Sequence, residues 1–301
     1  MSSSFQLFQF DGVCQTVALT LCPLIGKSDG IEPICYARNV DVAGVLIFQP
    51  ATFIIDIVAL LMTGIMIYHI KTKYTAVGRK EITLFFQMYT MTVITEMLLV
   101  TSIIPKASIL YPYFTAVHLG LVTSTLWCLL INGFLGIQFA EDGTPLSLWW
   151  NRITTGIIFI VVSSIAIATF NNTTGPFNYE SPMALWIIYY FINGAFVTIY
   201  IIVQLILIAF TLEDRWPLGD ILFGALFFII GQISMHAFSI GICEHSKHYM
   251  DGLFLGSGCN LLAVMMVYKY WDSITGDDLE FALDSKPQYW QVFEPIQKEK
   301  N

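Results

Sequence analysis

The chain is expected to fold as an all-α, polytopic membrane protein, a bundle of seven transmembrane helices. Three observations carry that expectation. Seven apolar runs, at residues 45–70, 82–104, 113–139, 148–170, 184–212, 221–243 and 252–268, are each 17 to 29 residues long. A helix needs roughly 17–25 apolar residues to cross the hydrocarbon. Hydrophobic residues make up 56% of the 301-residue chain and charged ones only 12%, and the charges crowd into the turns, as a bilayer requires. Finally, backbone amides in lipid must be satisfied within their own segment, so runs of this length are helices and not buried strands.

Residues 1–44 are expected to form an outer, cysteine-containing tail. Residues 1–20 lack a basic leader region, and Asp11 interrupts their apolar character, so the first helix is expected to insert the chain itself. The bundle follows at 45–271, and 272–301 form an acidic tail. Short inter-helix loops make neighbouring helices antiparallel. Lysine and arginine orient the bundle. With the N-terminus outside, ten of them fall on the inner side, four of these (Lys71, Lys73, Arg79, Lys80) in the first inner loop. The outer side holds four, Lys27, Arg38, Lys106 and Lys247. An odd helix count then puts the C-terminus in the cytoplasm. The net charge of −8 comes largely from the tails and says little about partners beyond the lipid bilayer; no nucleic acid is expected among them.

Cys14, Cys22 and Cys35 lie in the outer tail and Cys243 at the outer end of the sixth run. Four cysteines on an oxidising side suit two disulfides with three possible pairings. Cys14–Cys22 with Cys35–Cys243 is preferred, a local link plus one tying the tail to the bundle. Cys128 and Cys259 are mid-helix, where free cysteine is commonly a small hydrophobe. Asn171 and Asn172 each begin a glycosylation sequon on the expected outer side. They abut the fourth run, where a glycan-transfer enzyme standing above the membrane reaches poorly.

Charged groups inside a membrane point to function by default. Arg152 is near a helix end and can snorkel. Asp56 and Glu96 lie eleven and eight residues from the outer ends of their runs, and His118 and His236 five and seven residues from theirs. At about 1.5 Å per residue, Glu96, His118 and His236 share one depth to within a helical turn, with Asp56 slightly deeper. This polar layer reads in three ways: a hydrogen-bonded cluster that fixes packing, a surface that receives another protein's helix, or a zinc site. Zinc is disfavoured, because structural sites have close-spaced ligand pairs and catalytic ones a recognisable motif. His245 and His248, in an outer loop, read simply as histidines in a solvated turn.

Other chemistry finds no support. Gly-x-Ser-x-Gly, the phosphate-cradling glycine loop and His-Glu-x-x-His are absent from the sequence, and no cofactor is called for. Lys269 is too shallow for a buried Schiff base, and the receptor-type motifs of the third and seventh helices are missing. A transporter would show broken helices in matching halves, whereas Pro50 is the only proline well inside a run. Two turns echo one another, Glu141-Asp142-Gly143-Thr144-Pro145-Leu146 and Glu213-Asp214-Arg215-Trp216-Pro217-Leu218, and read as convergent turn chemistry. Small and polar residues within runs, at Asn132-Gly133, Asn193-Gly194, Gly224, Gly231-Gln232, Gly256 and Gly258, permit close helix approach. They serve internal packing or, facing outward, another protein.

Several blocks together resemble one family, the fungal chitin synthase export chaperones of the endoplasmic reticulum. They are Cys14 with Leu21-Cys22-Pro23, Cys35-Tyr36-Ala37-Arg38, Lys73-Tyr74-Thr75-Ala76-Val77-Gly78-Arg79-Lys80-Glu81, Tyr111-Pro112-Tyr113-Phe114, Glu141-Asp142-Gly143-Thr144 and Lys247-His248-Tyr249-Met250-Asp251-Gly252-Leu253-Phe254. The longest runs from Cys259-Asn260-Leu261 through Tyr268-Lys269-Tyr270-Trp271-Asp272 to Asp277-Asp278-Leu279-Glu280-Phe281. Residues 103–110 lack the Gly/Pro-rich turn the family usually shows, and residues after Phe281 match no block. The resemblance implies a non-enzymatic job: letting a chitin synthase, a multi-pass membrane client, fold and leave the endoplasmic reticulum, in support of cell-wall chitin synthesis. Vesicle-coat machinery reached through the cytoplasmic tail is a further expected partner. The two readings from other classes are a receptor-like signalling protein and a metal-dependent membrane hydrolase built on Glu96, His118 and His236.

Overall fold

The computed structural model describes residues 10–26, 30–42, 45–74, 76, 78–135, 145–172, 177–211 and 215–275. Seven helical segments among them are long and apolar enough to cross a membrane. They are α2 (Pro50–Thr72), α3 (Arg79–Val100), α4 (Tyr111–Leu135), α5 (Pro145–Phe170), α6 (Met183–Trp186) continued by α7 (Asn193–Thr211), α8 (Trp216–His236) and α10 (Gly252–Ile274). Short elements among the described residues include α1 (Asp11–Thr16), a 3-10 turn at Cys22–Leu24, the strands β1 (Val40–Val42) and β2 (Val45–Ile47), and α9 (Ser239–His245).

Several boundaries differ from the expected ones, and at two helix starts prolines explain the difference. The first span starts at Pro50 and not at residue 45. Proline fits the first helical turn, where its missing N–H is not needed, but inside a helix its ring strikes the carbonyl four residues earlier. The β-branched and apolar residues before it form β2 instead, paired antiparallel with β1 (Val40 opposite Ile47). Pro217 likewise lets α8 begin at Trp216, and its 21 residues end at His236. The apolar residues 237–243, expected to complete this helix, leave it, and α9 forms separately. Of the echoing turns, residues 141–144 and 213–214 lie outside the described residues, as does most of the acidic tail, 276–301.

The fifth span carries a feature that apolar length does not reveal. Between α6 and α7, Ile187–Ile192 form a π-helical turn. Such a turn inserts an extra residue into the helix, and it often marks a functional position. Here it carries the adjacent Tyr189 and Tyr190, whose rings stand edge to face at 5.0 Å.

Small residues set the helix spacing. A Cβ added at Gly231 on α8 would come within 2.8 Å of Cys259 Cβ on α10, and one at Gly133 on α4 within 2.9 Å of the Tyr200 ring on α7. Gly256 and Gly224 also lie at the contact between α8 and α10, which pack along much of their length. Gly194 is different: nothing lies within 4 Å of the space its Cβ would fill.

The N-terminal segment is a plug in one end of the bundle. Phe10, Val17, Leu21 and Ile25 are buried against Ala116, Leu119, Ala166, Leu185, Met235 and Leu253. Its backbone is tied down as well. Gly26 N donates to Tyr179 O at 2.9 Å, and Tyr111 Oη donates to Thr20 O at 2.8 Å. This end of the molecule is called the plugged end below, and the opposite one the open end.

Candidate functional site

The described blocks lie toward the two ends of the bundle, with a set of buried polar residues between them. At the plugged end the structure bonds Cys14 to Cys22, eight residues apart, and Cys35 to Cys243, 208 residues apart, with Cα–Cα distances of 5.5 Å and 6.2 Å. His248 docks onto the second link. Its Nδ1 lies 3.2 Å from Cys35 Sγ and 3.6 Å from Cys243 Sγ, and 3.2 Å from Tyr36 O. Arg38 N donates to His248 O at 2.7 Å, and the Arg38 guanidinium lies over the Tyr249 ring. The histidine read as an ordinary loop residue therefore anchors the tail. Its backbone is in the left-handed region, φ 66°, the only overt sign of constraint, and one invisible in sequence. Cys35, Cys243 and His248 are also the one group of three potential ligands whose atoms lie within 4.8 Å of one another among the described residues. The two sulfurs are bonded to each other, which leaves them no thiolate for a metal.

Beside this anchor, Asp251 caps α10. Its carboxylate accepts from Phe254 N at 3.1 Å, satisfying one of the free amides at the helix start. Burial raises its carboxyl above the usual range, against the opposing pull of its backbone N–H bonds.

At mid-depth the bundle holds a cavity of about 390 Å³ lined by Asp56, Glu96 and His118. Glu96 and His118 are held by neighbouring helices. Glu96 accepts from Ser257 Oγ at 3.3 Å, joining α3 to α10. His118 Nδ1 lies 3.1 Å from Thr95 Oγ1, and Thr92 and Thr125 bridge α3 and α4 at 3.2 Å. Asp56 is 2% exposed, and its Oδ2 has no hydrogen-bond partner among the described residues.

His236 does not join them. Because α8 ends at His236, this residue sits at the rim and not seven residues deep. Its Nδ1 lies 3.0 Å from Gln232 O and its Nε2 3.1 Å from Tyr190 Oη. A carbonyl can only accept, so in the neutral ring Nδ1 donates and Nε2 accepts from the tyrosine. His236 thus backs Tyr190, and Tyr190 in turn lines the cavity. Of the four residues of the expected layer, Asp56, Glu96 and His118 line the cavity, and His236 stands behind Tyr190. The tyrosines of the π turn, with Asn193, Gln232 and Asn260, are the polar lining residues that counting charges missed.

At the open end Lys73 forms an ion pair with Asp272 and lies over the Trp271 ring at 5.7 Å. Lys269 reaches Asp220 at 3.3 Å. The first inner-loop block and the last block of the sequence thus meet here. Asn171 and Asn172 are exposed just past the end of α5.

Plug, polar interior and paired open end define a multi-pass helical membrane protein whose distinctive residues serve the cohesion of the bundle and its interior. A family model described as chitin synthase export chaperone matches residues 6–285, and the chain belongs to that family. Among relatives bearing that name, the one from Cryptococcus neoformans var. neoformans serotype D is 46% identical over 98% of this chain and 82% of its own length. The Neurospora crassa relative is 46% identical over 95% of this chain and 81% of its own. For Aspergillus fumigatus the figures are 47%, 97% and 89%. The family match runs four residues past Phe281, where the recognisable blocks stop. No solved structure matches the chain.

Proposed function

We propose that this protein is a membrane chaperone dedicated to a chitin synthase, needed for that client to fold and leave the endoplasmic reticulum. The observation that carries the reading is the relatives' name: proteins 45–47% identical over nearly the whole chain are chitin synthase export chaperones. The physical logic suits a client with many spans. Polar groups that handle a sugar polymer within a membrane are expensive until the helices around them assemble. A partner bundle with small and polar faces can shelter them until then. Such a job asks for binding and release, with no bond made or broken, so we read the protein as non-enzymatic. The receptor and hydrolase readings gain nothing from the relatives.

In this reading the plugged end faces the lumen and the chain from 272 onward faces the cytoplasm. The excess of lysine and arginine on the inner side supports that orientation, and so does the pairing of four cysteines at the plugged end, which an oxidising compartment favours. The cytoplasmic tail would present the loaded chaperone to vesicle-coat machinery. Deleting the gene tests the function. One chitin synthase should stay in the endoplasmic reticulum and wall chitin should fall, while general secretion continues. Normal surface delivery of every chitin synthase would overturn the reading. Purification in mild detergent, followed by identification of co-purifying proteins, names the client.

A further inference from the structure

The interior cavity has the features of a binding site in its own right. Asp56 and Asn193 are 2% and 8% exposed, both line the cavity, and among the described residues Asp56 Oδ2 and Asn193 Oδ1 have no hydrogen-bond partner. Buried acceptors without a donor are strongly unfavourable in a low-dielectric interior. Glu96 and Asp220 add two further carboxyls to the wall, Asp220 paired with Lys269 at 3.3 Å, and no lysine or arginine is itself among the described lining residues. The site therefore calls for a donor, and preferably a cation.

Shape narrows the class. The cavity extends from Asp56 and Glu96 toward the open end between apolar side chains such as Phe85, Ile201 and Phe228. A polar pocket continued by an apolar channel, about 390 Å³ in all, is within the range of small-ligand sites and too small for a helix. The plug's Leu19, Thr20 and Leu21 form part of the wall at the plugged end. A sideways approach is open instead: α7 and α8 touch only sparsely, and Gly194 is exposed with empty space over it.

We propose that this cavity binds one membrane amphiphile with an ammonium head, held by Asp56 and Glu96, its chain lying in the apolar channel and entering between α7 and α8. The site is independent of the client's identity.

Three probes with one tail test it: dodecylamine, dodecanol and dodecanoate, added to the purified full-length protein in detergent. Dodecylamine should raise the thermal midpoint, and the other two should not. Asp56→Asn should weaken the amine at least tenfold. Gly194→Leu, whose Cβ meets nothing within 4 Å, should do the same by narrowing the entry beside α7, and it decides the matter if the aspartate variant does not fold. Equal shifts from all three probes would mean partition into any apolar space and would overturn the proposal. So would an amine shift that survives in the Gly194→Leu protein. A photo-crosslinker at Asn193 should capture lipid; capture of a polypeptide in its place would make the cavity a client-docking site and reject the lipid.

Discussion

Single residues show where this protein is least tolerant. Gly231→Leu should force α8 and α10 apart, because even a Cβ there meets Cys259 at 2.8 Å and Gly256 O at 3.3 Å. Overpacking of this kind costs about 1–3 kcal/mol, read as a lower thermal midpoint in detergent, whereas Gly241→Ala, with nothing within 4 Å, should be silent. Asp251 separates hydrogen bonding from charge. Asp251→Ala removes the cap and should cost about 1 kcal/mol. Asp251→Asn keeps a good cap and sheds a carboxylate that burial disfavours. A group whose folded pKa is raised contributes stability that is present at low pH and lost as pH rises through the raised value. The asparagine variant should therefore match or exceed the parent at pH 8, with its advantage shrinking toward pH 5; an advantage that grows on acidification would refute this. Asp56, Glu96 and His118 could be picked out from the sequence as membrane-buried polar groups, because charge within an apolar run is conspicuous. Tyr189 and Tyr190 were not, since aromatic residues in a span look ordinary until a π turn places them, and Asn193 was legible only as a small-polar packing position.

At the scale of elements, the plug and the open-end pair are the two devices that hold distant segments together. Replacing Cys35 and Cys243 with serine removes a link across 208 residues. Loss of a native disulfide costs about 2–5 kcal/mol in small secreted domains, and less is expected beside a stable bundle. The clearer readout is proteolysis: Arg38, on the segment this link restrains, should become a trypsin site in sealed vesicles that expose the plugged end. An unchanged digestion pattern would show that burial of Phe10, Leu21 and Ile25 suffices. At the open end, Lys73→Asp should loosen α2 from α10, and Lys73→Asp with Asp272→Lys should restore much of the loss. Both side chains are partly exposed, so the effect is expected to stay near or below about 1 kcal/mol. A double variant no better than the single would show that the Trp271 contact, and not the ion pair, carries the junction. The helices themselves were legible from apolar length. Their ends were not, because Pro50 and Pro217 start helices at residues that hydropathy treats as unremarkable, and α10 runs past its apolar part through Lys269, Tyr270 and Trp271.

For the whole molecule, the seven spans surround a mostly apolar cavity with buried polar groups, and the N-terminal segment plugs one end. Topology is the property to test at this scale. A cysteine placed in residues 27–29 should react with a membrane-impermeant reagent only after the lumenal side is opened. One placed beyond residue 276 should react from the cytosolic side in intact microsomes. The reverse pattern would invert the orientation proposed here.

The sequence by itself determined the class of the protein: seven spans, their order, their antiparallel arrangement and the family, because hydropathy and local motifs are properties of contiguous residues. Only the tertiary structure decided which polar groups meet. Depth along separate helices is a one-dimensional quantity: it put His236 level with Glu96 and His118 but not on a facing side. The actual neighbours depend on helix rotation, on where each helix ends and on the π turn in the fifth span. Those are fixed by close contacts such as Gly231 on Cys259 and by the plug seated against Ala116 and Leu253. Packing of this kind joins residues hundreds of positions apart, and no local pattern in the chain announces it.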